Sequence, residues 1–299
     1  VKKALITIYR LLPFKKEVYS FLKLFWTPPY AVYKHLHFNG VFRVRVADNK
    51  SFRIRHYGNE IENEIFWKGL TGGWEKKSMK LWMQLCKDAK VIIDVGANTG
   101  IYSLAAKATN PAAAVYAFEP LHRILLKLQH NNNLNHYNIK CIEKALSNTE
   151  GDHIIYENYN PHVNAATLDR HTAIAYGRGQ LNKETIIKTT TLDNVIELEN
   201  LPAVDLVKID VETHEPEVIA GFKKFLPRFK PAFLVEILMD KVGEKLQQVF
   251  DSLGYLYFNI DDKNDTIRQV QSLRQSDYFN YLICTREKAV QLGLLKQPG

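Results

Sequence analysis

Residues 91–95 are a short apolar run around Asp94 that passes straight into Gly96-Ala97-Asn98-Thr99-Gly100 and then into a helical pattern over 101–109. A strand that stops at a glycine turn and enters a helix opens a βαβ unit, and this turn lies where α/β sheets take their ligands. Alternation continues downstream. Strands are expected at 114–119, 139–146, 206–211, 232–237, 255–260 and 281–285, and helices at 122–132, 215–225 and 242–253. Such a chain folds into a doubly wound α/β sheet, mostly parallel, with helices on both faces. The last two strands lack a good helical stretch between them and read as an antiparallel edge pair. Residues 158–182 are polar and without period, a candidate substrate loop.

The spacing GxxxG differs from the dinucleotide GxGxxG, and no GxxxxGK[ST] segment exists, so nicotinamide and nucleoside-triphosphate chemistry lose their support. Three cysteines, Cys86, Cys141 and Cys284, stand far apart without CxxC pairs, which argues against a disulfide scaffold or a structural zinc site and fits a reducing cytoplasm.

Residues 1–73 read as an N-terminal extension and 74–299 as the main domain, which begins with a helical stretch over 74–86. In the extension, Phe14, Val18, Phe21, Leu22 and Phe25 form a helical apolar stripe among Lys15, Lys16 and Lys23. Two readings are open: a helix lying on a membrane surface, or one whose stripe packs on the main domain, the commoner arrangement in soluble proteins. Residues 41–46 and 51–55 alternate with period two and form a β-hairpin with arginines on one face. The net charge of +8 is concentrated here: residues 1–90 carry 18 Lys and Arg against 7 acids, and residues 91–299 carry 22 against 25. No apolar run approaches the ~20 residues a membrane helix needs. The start, 1–10, resembles a signal peptide, but Arg10 interrupts its apolar stretch and no small-residue cleavage site follows. The expected location is therefore cytoplasmic, with residues 1–40 available for peripheral contact at an anionic inner membrane surface.

Three stations carry the chemistry. Gly96 and Gly100 let the backbone approach a ligand closely. Glu119, in Phe118-Glu119-Pro120 at the end of the second strand, stands where a carboxylate can accept both hydroxyls of a ribose. A helix-capping acid is the alternative, and both roles are compatible. The third station is Leu206-Val207-Lys208-Ile209-Asp210-Val211-Glu212-Thr213-His214-Glu215. Carboxylates crowded at a strand tip raise one another's pKa and cost stability unless paired, which marks function rather than packing. Alternation sets Lys208, Asp210 and Glu212 on one face, with Glu236 on the neighbouring strand turned to the same crevice.

The segments VIIDVGANTGIYSLAA, AFEP, KALS, LVKIDVETHEPEVIAGF and FLVEI stand in the order and approximate spacing found in the FkbM family of S-adenosylmethionine-dependent methyltransferases, which residues 60–287 resemble. The resemblance implies a seven-stranded Rossmann-like methyltransferase sheet and O-methylation of a hydroxyl on a saccharide, whether a glycan, a glycolipid or a sugar-bearing natural product. By position it assigns Asp94, Gly96, Asn98 and Gly100 to the methionine and ribose portion of the cofactor, Glu119 to the ribose, and Ala145 and Leu146 to the adenine. Asp210, with Glu212 and His214, becomes the candidate for orienting or deprotonating the acceptor. Where the family usually has glycine this chain has Thr213, which places a side chain near the acceptor. A divalent cation held by Asp210, Glu212 and Glu236 is the less favoured alternative, and no metal ligand is assigned. Amino-group methylation is disfavoured, since no N/D-P-P-Y turn follows Asp210. An RNA-binding protein or RNA methyltransferase using the basic third is the rival, weakened by the lack of an aromatic RNA-binding pattern or a long Lys/Arg run.

Overall fold

The computed structural model describes residues 14–157, 166–176 and 183–296. The start at 1–10 and much of the candidate loop 158–182 lie outside the described residues. A hairpin of β1 (Gly40–Ala47) and β2 (Lys50–His56) precedes the main sheet. That sheet contains β3 (Val91–Val95), β4 (Ala114–Phe118), β5 (Lys140–Ile142), β10 (Leu206–Ile209), β11 (Ala232–Glu236), β12 (Leu256–Asp261), β13 (Thr266–Val270) and β14 (Asn280–Cys284). A smaller sheet is built from β6 (Ala145–Leu146), β7 (Gly151–Glu157), β8 (Ala166–Thr167) and β9 (Lys183–Thr190).

The main sheet runs β13-β12-β14-β11-β10-β3-β4-β5. Strands β5, β4, β3, β10 and β11 are parallel, while β14 runs antiparallel to both β11 and β12. This is the α/β Rossmann-like methyltransferase arrangement with a mixed sheet, seven strands plus β13 as an eighth at the edge. Three expectations need correction. The final pair is antiparallel, but β14 inserts between β11 and β12 and is no edge strand. Residues 139–146 do not form one strand: the chain leaves the main sheet after Ile142, and Ala145–Leu146 pairs with Thr189 and Thr190 in the small sheet. The span 158–182 is not wholly irregular, since it contains β8 and the helix Arg170–Tyr176.

Each central strand is buried on both faces, which explains its unbroken apolar run. Ile92, Leu206, Leu234 and Leu282 face a core shared with the helices Lys76–Cys86 and Ile101–Thr109, the hairpin and Trp67. Ile93, Val207, Val235 and Ile283 face the opposite core with Phe222, Leu246 and Phe250. Helix Ile101–Thr109 is buried all round, hence its small, alanine-rich sequence. The hairpin turns Phe42, Val44, Phe52 and Ile54 inward and Arg43, Arg45, Arg53 and Arg55 outward, as alternation required.

The helix Lys15–Phe25 overturns its packed reading. It buries Tyr19 against Phe38 and Trp67, while Phe14, Val18, Phe21 and Phe25 are 72%, 52%, 63% and 77% exposed. The apolar stripe points outward.

Candidate active site

The chain extends the sheet from β3 to β4 and β5 on one side, then returns to place β10 and β11 on the other. The carboxyl ends of β3 and β10 therefore flank the topological switch point, where an open α/β sheet has its crevice. A cavity of about 380 Å³ opens there, lined by Asp94, Gly96, Asn98, Glu119, Asp210 and His214 among others.

The turn after β3 is dictated by close backbone approach. Gly96 has φ +79°, and a Cβ on it would lie 2.0 Å from the Asp210 carbonyl oxygen. Gly100 has φ +92° and no room beside Leu128. Between them Asn98, at φ 50°, donates its backbone N–H to Glu119 Oε2 at 3.1 Å, and Leu121 N–H donates to Oε1 at 3.0 Å. Glu119 is thus fixed at the end of β4 with further lone pairs toward the cavity. Burial pushes its pKa up to about 7 against the pull of those two N–H donors.

Asp94 is buried and accepts Ser103 Oγ at 2.6 Å on Oδ2, while its Oδ1 has no hydrogen-bond partner among the described residues. Burial raises its pKa and the neighbouring Lys208 charge opposes the rise. An orphaned carboxylate oxygen beside a glycine turn and a ribose-type acid suits a ligand carrying an ammonium group and a diol. The cavity's other wall is apolar: Leu121, Ile124, Ala145 and Ile155 pack together, with Ala166 and Leu168 against them. Leu146, the next residue after Ala145, also lines the cavity but packs into the core around Val95 and Phe118. That wall suits a flat base, and of its members the sequence pointed only to Ala145 and Leu146.

Even-numbered residues of β3, β10 and β11 share a face, so Asp94 lies beside Lys208 in register and Asp210 and Glu236 follow at the strand ends. Lys208, nearly buried, bonds Asp210 Oδ2 at 2.8 Å and stands 4.5 Å from the centre of the Tyr102 ring. Burial alone would lower its pKa, but Asp210, Glu75 and Asp94 together raise it, so it remains a fixed cation. Glu236 is raised well above the carboxylate range by burial, then by Asp210, Glu212 and Glu75.

Glu75 is the residue that sequence reasoning missed. It precedes the helix Lys76–Cys86 at φ 44°, accepts the Tyr102 hydroxyl and lines the cavity. Burial pushes it up to about 7, with Lys208 opposing. Its signals were faint: an acid after Gly72-Gly73 also reads as a favourable first-turn charge.

After β10 the chain takes two left-handed residues, Glu212 at φ 54° and Thr213 at φ 81°. A glycine would adopt the second without strain. Thr213 does not line the cavity: its Oγ1 lies 2.8 Å from that of Thr172 on the helix Arg170–Tyr176. Buried Glu215 clamps this loop by accepting the N–H groups of Val211 and Thr213 at 3.2 and 3.3 Å. Burial pushes it up to about 8. His214 lines the cavity, with Nε2 3.0 Å from Ser147 Oγ and Nδ1 3.8 Å from Glu217; burial lowers its pKa, with the Glu217 charge opposing. Among the described residues no three His, Cys, Asp or Glu side chains converge to hold a metal ion.

A family model for the FkbM methyltransferase domain matches residues 94–269, a span that holds the glycine turn, Glu119 and the Asp210 loop. The hexuronic acid methyltransferase AglP of Haloferax volcanii is 28% identical over 183 residues, 60% of this chain and 69% of that protein. Among solved structures, an FkbM methyltransferase from Methylobacillus flagellatus KT aligns at 14% identity with a TM-score of 0.42, over 66% of this chain and 44% of that one. Precorrin-6y C5,15-methyltransferase from Geobacter metallireducens GS-15 aligns at 12% identity with a TM-score of 0.38, over 70% and 89%. The family match spans more than half of the chain and contains the cavity's central residues: the chain belongs to the FkbM family and is an S-adenosylmethionine-dependent methyltransferase.

Proposed function

We propose that the chain transfers a methyl group from S-adenosylmethionine to a hydroxyl of a saccharide. The observation that carries this reading is that a cofactor-type half and an acid-bearing half line one cavity. Asp94 Oδ1 would take the cofactor's ammonium group, Glu119 its ribose hydroxyls, and the Leu121, Ile124, Ala145 and Ile155 wall, backed by Leu146, its adenine. The Gly96–Gly100 turn, with Asn98 between, would bring backbone against the methionine portion. The cofactor supplies a methyl carbon already activated by the adjoining sulfonium charge. What remains for the protein is to align an oxygen with that carbon and remove its proton.

Asp210 is the candidate for that proton. It is partly exposed to the cavity, and its Oδ2 is held by Lys208, which fixes the carboxylate's orientation. Glu212 and Glu236 border it and would bind the acceptor's other hydroxyls. His214, with Nε2 engaged by Ser147, is better suited to positioning the loop than to moving the proton.

The saccharide class follows the AglP relative, whose name states hexuronic acid methylation. The test is transfer of labelled methyl from S-adenosylmethionine to a panel of neutral and uronic-acid saccharides, beside RNA and protein acceptors. Label in a saccharide is the expected result, and label in RNA or protein alone would overturn the acceptor class.

A further inference from the structure

We propose that the helix Lys15–Phe25, with Trp26 and Tyr30, is a docking surface for an anionic lipid bilayer. The helix is held to the body through its Lys16, Tyr19 and Lys23 side: Tyr19 is buried, and Lys23 donates to the Phe66 carbonyl and lies 5.1 Å from the Phe66 ring centre. Its opposite side presents Phe14, Val18, Phe21, Leu22 and Phe25, continued by Trp26 at 52% and Tyr30 at 57% exposure. An amphipathic helix that turns its apolar stripe to solvent, beside a hairpin with a basic outer face, has the form of an interfacial anchor. Trp and Tyr beside the stripe are the side chains favoured at headgroup depth.

Charge selects the occupant. Residues 14–56 carry nine Lys and Arg against two acids. A groove between helix and hairpin brings Lys16, Lys23, Arg43 and Arg53 together over Phe42 and Phe66. Among the described residues Arg43, Arg45, Arg53 and Arg55 form no ion pair with a carboxylate. A second copy docking through a two-fold axis would set this cationic rim against itself. An anionic headgroup layer instead neutralises the rim while the acyl boundary takes the aromatic stripe. The groove's floor residue Phe66 belongs to the helix Glu60–Lys68, whose Glu60, Ile61, Glu62 and Glu64 line the catalytic cavity, so the docked face and the cavity share one rigid element. The inference is independent of which acceptor is methylated.

The test is co-sedimentation of the full chain with vesicles of phosphatidylcholine alone or with about one third phosphatidylglycerol. Binding is expected to the anionic vesicles, to fall as salt is raised, and to drop about ten-fold or more in Phe21→Glu/Phe25→Glu and in Arg43→Glu/Arg53→Glu. Trp26 gives a second readout: Trp67 and Trp82 are buried and Trp74 is half-buried in the cavity wall, so a blue shift of tryptophan emission on anionic vesicles that Trp26→Phe abolishes reports its insertion. No blue shift with no sedimentation, equal binding by the paired variants, or a dimer in light scattering that Phe21→Glu/Phe25→Glu dissolves would overturn the proposal. A cofactor-induced thermal shift retained in both variants shows that loss of vesicle binding is separate from the methyltransferase reading.

Discussion

Glu119 shows how one side chain serves fold and ligand together. Both of its oxygens already accept backbone N–H groups, from Asn98 and Leu121, and that double anchorage ties the end of β4 to the glycine turn. Glu119→Ala is expected to weaken S-adenosylmethionine binding about 10- to 100-fold, in line with ~1.5–3 kcal/mol for a hydrogen bond to a charged group; isothermal titration measures it, and unchanged affinity refutes the ribose role. Glu215 supports a prediction about pH. Its folded pKa, about 8, lies above the ordinary 4.5, so the folded protein holds this proton more tightly than the unfolded chain. The stability it contributes is whole below about 4.5 and is lost progressively as pH rises through about 8. Glu215→Gln keeps the acceptor oxygen and removes the titration, so its melting temperature is expected to decline less than that of the unmodified protein between those limits. A parallel decline in both would show that Glu215 is not the group responsible. Asp94, Gly96, Gly100, Glu119 and Asp210 were legible because each sits at a strand end with its own local pattern. Glu75 was not, since only the tertiary packing of Tyr102 and Lys208 brings it to the cavity.

Elements with one dominant period were read from the chain nearly to the residue, as with Val91–Val95 and Ile101–Thr109. Polar or very short elements were not. Strand β13 has no buried residue, and Thr266-Ile267-Arg268-Gln269-Val270 carries only two large apolar side chains without period-two spacing, so it resembles a loop. The small sheet depends on Ala145–Leu146 meeting a segment more than forty residues onward. Amphipathicity identified the helix Lys15–Phe25 but not which face would meet the protein; Tyr19, packing with Phe38 and Trp67, settles that against the longer apolar stripe. The hairpin β1–β2 is continuous with the main core despite its basic outer face, because Phe52 and Ile54 share that core with Trp82 and the helix Ile101–Thr109. Phe52→Ala is therefore expected to cost about 3–5 kcal/mol in urea unfolding. A loss under 1 kcal/mol would show that the hairpin is a detachable appendage.

For the whole molecule, the uneven charge now has a spatial meaning. The slightly acidic portion after residue 90 contains most of the cavity, with Asp94, Glu119, Asp210, Glu212 and Glu236 in its lining. The basic portion supplies the outward arginines of the hairpin, beside an N-terminal helix whose outward face is apolar. No helix among the described residues is long and apolar enough to cross a membrane. The central claim is that one cavity binds S-adenosylmethionine through the β3 and β4 ends and uses Asp210 at the β10 end for transfer. Its most direct test measures labelled methyl transfer and cofactor affinity side by side in the unmodified protein and in Asp210→Asn. The account predicts a fall in turnover of about 10²-fold or more, with the cofactor dissociation constant changed less than about three-fold. Turnover retained in Asp210→Asn, or lost only in proportion to cofactor affinity, would contradict it.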